Sequence, residues 1–147
     1  MQQSSSDFKY YVRNLQVLHL AMVAGVTMAL FILKYLRNGQ NTAPDSILLY
    51  SFIGAASIAL LLYFTMYSKK IDAAKTFKGT MTEKLAKYRE AFIFKLATIE
   101  GPAMIGAILH FLDGNPILFY SSLALIILLF LQRPTEEKIV EELGLKF

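Results

Sequence analysis

Long stretches of this chain carry no charge. None occurs in 14–33, 46–68 or 114–132, and 96–112 holds only Glu100. Apolar residues fill these blocks continuously, without the single stripe of a half-buried soluble helix. Crossing a hydrocarbon core of about 30 Å takes roughly 20 helical residues. The pattern therefore predicts four spans, at 14–36, 46–68, 91–112 and 116–132. The third reaches full length once Ala91–Phe94 join it and Lys95 snorkels toward the headgroups. The fourth is short, so it is expected to stand nearly upright or to meet a thinned bilayer. A basic linker, 69–90, separates spans two and three, and a tail, 133–147, follows span four. The expected fold class is all-α: a polytopic membrane protein of four transmembrane helices, arranged as two tandem parallel hairpins within one membrane domain. A short cytoplasmic C-terminal helix completes it.

Polar positions punctuate these blocks. Thr80 followed by Glu83 fits a capping box that starts a helix at Met81. That helix can run to Leu112, about 48 Å at 1.5 Å per residue, so its first turns must project beyond a bilayer. Asp113-Gly114-Asn115-Pro116 reads as a tight turn. Arg133-Pro134 stops span four, and Thr135 with Glu136 and Glu137 behind it starts a short helix. Ile139, Val140, Leu143 and Leu145 give that tail an apolar side able to fold back on the linker.

Composition narrows the class. Of 147 residues, 55% are hydrophobic, and so small a soluble chain could not bury four such blocks. There is no cysteine, which excludes disulfides, thiolate chemistry and cysteine metal sites. The net charge of +4 does not point to nucleic acid, because the excess is concentrated in the linker. Lys69, Lys70, Lys75, Lys78, Lys84, Lys87 and Arg89 there face only Asp72, Glu83 and Glu90. An anionic lipid surface accounts for that cluster, and the positive-inside rule places it, and both termini, in the cytoplasm. Lys34 and Arg37, in the loop 34–45, oppose this weakly. The first apolar block is of span length with no A-x-A site behind it, so a cleavable signal is not expected. Six tyrosines, Tyr10, Tyr11, Tyr35, Tyr63, Tyr67 and Tyr88, fall at span ends as an aromatic belt.

The halves resemble each other. Residues 19–39 align with 95–115 at a shift of 76, matching Leu20/Leu96, Ala21/Ala97, Gly25/Gly101, Met28/Met104 and Leu36/Leu112. ILLYS (47–51) pairs with ILFYS (117–121). A duplication implies two hairpins running in the same direction. In the second half Glu100 replaces Ala24, and Pro102 replaces Val26.

Glu100 falls near mid-bilayer, where an ionised carboxylate costs roughly 2.5–3.5 kcal/mol. It is expected mostly protonated near neutral pH and turned toward protein. Pro102 has no N–H, so the Thr98 carbonyl loses its helical donor one turn away. Ser57 and Thr27 are candidate hydroxyl partners at similar depth. Ala21, Gly25, Ala97 and Gly101 would let helices one and three approach closely. Three roles are open to Glu100: a hydrogen-bonding group at a kink, a proton or cation site, or a contact to another subunit. His19 and His110 lie about 22 Å apart along an axis, too far to share a haem. Local pairs, His19 with Gln16 and His110 with Asp113, are the alternative. No catalytic triad, carboxylate pair, phosphate loop or metal motif occurs, so neither an enzyme nor a bound cofactor is expected.

LATIEGPAMIGAIL (96–109) resembles the ion-carrying helix of rotary ATPase proteolipids, in which an acid on a small-residue helix precedes a glycine and an aliphatic run. That resemblance implies an ion-carrying role for Glu100. It departs from the family in placing the acid on the first helix of its hairpin and in lacking the polar loop motif. More of the chain resembles small four-span proteins of bacterial inner membranes, with E-G-P in span three and R-P-T after span four. That likeness implies an inner-membrane location and no activity. The expected function is an accessory or structural subunit of a membrane assembly, partnered by lipid and by copies of itself or other membrane subunits. The alternatives are a proton- or cation-translocating subunit using Glu100, and a small proton-coupled exporter. No small-molecule substrate is identified.

Overall fold

The computed structural model describes residues 2–37 and 45–145, with side chains from Asp7 onward. It contains α1 (Gln2–Arg37), α2 (Ser46–Leu62), a π-helical turn (Tyr63–Tyr67), α3 (Ser68–Lys75), α4 (Met81–Asp113), α5 (Pro116–Leu131) and α6 (Glu136–Leu143). There is no strand among the described residues. Local chemistry sets most of the boundaries. Asp45 caps α2 by accepting from the Ile47 N–H at 2.8 Å. The Thr80–Glu83 capping box is formed in both directions, and Gly114 ends α4 at a left-handed φ of 76°. Asn115 caps α5, with Pro116 at the first turn where its missing N–H does no harm. Thr135 caps α6.

Among the described residues, three helical stretches are long and apolar enough to cross a membrane: Asp7–Arg37, Ser46–Lys75 and Met81–Asp113. Helix α5, with 16 residues, is shorter, and it meets α6 at an 80° bend. Among the described residues, the helices long and apolar enough to span therefore number three, or four with that bent pair. Helix extends further than the hydropathy blocks. α1 begins well before residue 14 and persists through Lys34 to Arg37, whereas the rest of the expected loop, 38–44, lies outside the described residues. The linker 69–90 is non-helical only over 76–80, because α3 continues α2 through the π turn.

Helix α4 is the hub, packing on α1, α2, α3 and α5. α1 lies parallel to it. The Tyr11 hydroxyl donates to the Leu85 carbonyl at 2.6 Å and Arg37 donates to the Phe111 carbonyl at 2.6 Å, the same sequence offset at both ends. α5 runs antiparallel to α1, with His19 against the Leu129 carbonyl and the Phe31 and Phe119 rings edge to face. α2 is antiparallel to α4. The expected pairing of α1 with α2 is not formed to any comparable extent, and α2 leans on α4 instead. The reason is packing at Gly106, where a Cβ would overlap the Ser122 hydroxyl and lie 2.8 Å from the Phe52 ring. Only glycine lets α2, α4 and α5 meet there. Leu15, Val26, Leu30, Leu96 and Leu129 form the buried centre. The core continues toward the α6 end of the bundle through Phe8, Val12, Ala74, Tyr88, Ile139 and Leu143.

Candidate functional site

Helix α4 runs unbroken through Pro102. Glu100 sits on the flank of α4, between buried Leu96, Ala103 and Ala107 and exposed Ile93 and Ala97, and is itself half-buried. Its carboxyl makes no hydrogen bond or ion pair among the described residues. The hydroxyls expected beside it are engaged or turned elsewhere. Thr27 donates to the Val23 carbonyl of its own helix at 2.6 Å, and Thr98 donates to the Lys95 carbonyl at 2.8 Å. Ser57 is exposed on α2. The four polar candidates thus do not form one site.

The small-residue seam is also absent from the α1–α4 contact. Ala21, Gly25 and Ala97 are exposed, and nothing lies within 4 Å of a Cβ built at Gly25 or Gly101. Val23, Val26 and Leu30 fill that seam instead, since each makes far more dispersion contacts than glycine can. Pro102 alone of the packing candidates is buried. A close approach occurs instead at Gly106, and it brings α4 against α2 and α5 rather than α1.

A second polar cluster escaped sequence reasoning. Glu142 of α6 accepts from the Tyr67 hydroxyl at 3.1 Å and the Tyr88 hydroxyl at 2.7 Å. The Tyr67 ring stacks on Tyr63 at 5.5 Å, and the Lys95 ammonium lies 4.9 Å from the Tyr67 centroid. The π turn rotates Tyr63 and Tyr67 to this point, and such turns recur at functional sites. Sequence gives no signal for a π turn. The tyrosines read as belt residues, and Glu142 as one acid among several on a short helix.

At the opposite end, Arg37 is buried against Gly114, Asp113 accepts from the Asp45 N–H, and His110 Nδ1 donates to the Asn115 carbonyl at 3.0 Å. The expected histidine pairs are not made. His110 meets Asn115 rather than Asp113, and His19 meets the Leu129 carbonyl at 2.8 Å while Gln16 donates to Pro134. A carbonyl only accepts, so each bonded ring nitrogen carries the proton. Among the described residues, no group of three or more His, Asp or Glu side chains is placed to hold a metal. No family model, curated protein or solved structure matches the chain.

Proposed function

We propose that this protein is a four-span integral membrane protein, both termini cytoplasmic, acting as a non-catalytic accessory or structural subunit of a membrane assembly. The observation that carries this reading is the half-covered Glu100 carboxyl with no partner of its own among the described residues. Intramembrane acids face protein or water and pair with something. A helix of a second subunit, another copy or a different chain, would give Glu100 an acceptor or donor and shield it from lipid. Uncovered apolar surface elsewhere on the bundle favours such a neighbour. Gly25 and Gly101 are bare, and only 6% of the most apolar window of Ser46–Lys75 is buried.

Gentle extraction and mass measurement of the intact assembly test this. Glu100→Gln keeps hydrogen bonding and is expected to retain the assembly. Glu100→Leu is expected to release monomer. A wild-type chain that is monomeric under all mild conditions would overturn the reading. The same unpartnered carboxyl favours a second reading, proton or cation translocation. That reading requires Glu100→Gln to abolish ion movement, Glu100→Asp to restore part of it, and carbodiimide to label Glu100 in competition with cations.

A further inference from the structure

We propose that the slot between α2, α4 and α5 binds one anionic phospholipid, its chain in the slot and its head against Lys95, Tyr63 and Gln132. The slot is a cavity of about 340 Å³ lined on α2 by Ala56, Ala59 and Leu60, on α4 by Ile99 and Pro102, and on α5 by Leu125. α2 leans on α4 and comes near α5 chiefly at Gly106, which leaves the slot between them. Its apolar walls end in a polar floor formed by Tyr63 and Gln132. Thr98 also lines the slot, and Lys95 lies just outside the lining, one turn before Thr98 on α4.

The floor is rich in donors. The Tyr63 hydroxyl and the Gln132 side-chain amide make no hydrogen bond among the described residues, and the Lys95 ammonium meets only the face of the Tyr67 ring, 4.9 Å from its centroid. The nearby acid, Glu142, is already engaged by two tyrosine hydroxyls. Two donors in the slot's lining, with the Lys95 ammonium over the Tyr67 ring that stacks on Tyr63, match an anionic head on an alkyl chain, since a phosphate offers only acceptors. Arg133, Lys138 and Lys70 stand at the same end of the bundle and would attract anionic lipid there. The site is separate from Glu100. Thr98 and Pro102 lie two residues to either side of it, about 200° around the helix.

The test is lipid retention by the full chain in nanodiscs of equal phosphatidylglycerol and phosphatidylcholine, measured by native mass spectrometry after detergent release. One phosphatidylglycerol per chain is expected to persist. Lys95→Gln should reduce retention about tenfold or more, and Ala56→Phe, which fills the slot without touching the floor, should do the same. Circular dichroism checks that each variant is folded, and Gln132→Leu serves should Lys95→Gln not fold. Equal retention of the two lipids, or retention unchanged by both the slot and floor variants, would mean annular lipid only and would overturn the site.

Discussion

At the residue scale, two glycines show how little a small side chain means without its neighbours. Gly25 lies in the more conspicuous small-residue run, yet its face is open. Gly106 sits where three helices converge, and Ser122 beside it holds the Leu118 carbonyl at 2.9 Å. The Ser122 hydroxyl cannot swing away from a new methyl without losing that bond. Gly106→Ala is therefore expected to lower stability by about 1–3 kcal/mol. Gly25→Ala should instead raise the stability of the isolated chain by about 0.5–1 kcal/mol through helix propensity. Thermal unfolding in detergent checks both, and a similar loss at the two positions would contradict this packing. Glu100 was legible as an oddity from its charge alone. Which groups surround it was not, because depth along an axis says nothing about rotation around it.

At the element scale, the ends of helices were the most readable features, because capping is a short-range affair of a side chain and the first few N–H groups. Thr80 and Thr135 each cap the helix that follows, as their sequence context predicts, and Asn115, read as part of a turn, caps α5. The docking of α6 was only half legible. Its apolar side predicted a return to the bundle, and Ile139 and Leu143 are buried there. The polar contacts on Glu142 come from two elements, Tyr67 in the π turn and Tyr88 on α4. Tyr88→Phe removes the shorter of these bonds and should loosen α6 by about 1–3 kcal/mol, the range for a hydrogen bond to a charged group. Hydrogen exchange of the α6 amides should speed up by the matching factor, with exposed Tyr10→Phe as the unaffected control. If α6 exchanges as slowly after Tyr88→Phe, its anchoring is apolar alone.

At the scale of the whole molecule, α1 and α4 run side by side in the same direction over nearly their whole lengths. The internal likeness of 19–39 and 95–115 anticipated that direction. It did not anticipate that α2 would abandon α1. Spin labels test the arrangement without assuming a membrane. Pairs at Lys9 with Lys87 and at Leu36 with Leu112 are expected to be close, and Lys9 with Leu112 about 40 Å apart from the helical rise. Antiparallel packing of α1 on α4 would reverse these distances. The exposed length of α2 gives a second expectation. Removing the aromatic anchor by Phe52→Ala should free α2 from α4 and cost about 3–5 kcal/mol, the range for a buried aromatic, while the α1–α4 spin-label distances stay as they were.

Hydropathy, charge and caps are read along the chain, so the sequence by itself determined the all-helical class, the presence of several apolar stretches of span length and most helix starts. Each of these is decided within about a turn, or by composition averaged over a stretch of span length. Which faces meet was decided only in three dimensions. The neighbours of Glu100, the seat of α2 on Gly106 and the tyrosines on Glu142 each require side chains distant in sequence to compete for the same space, and the closest packing prevails.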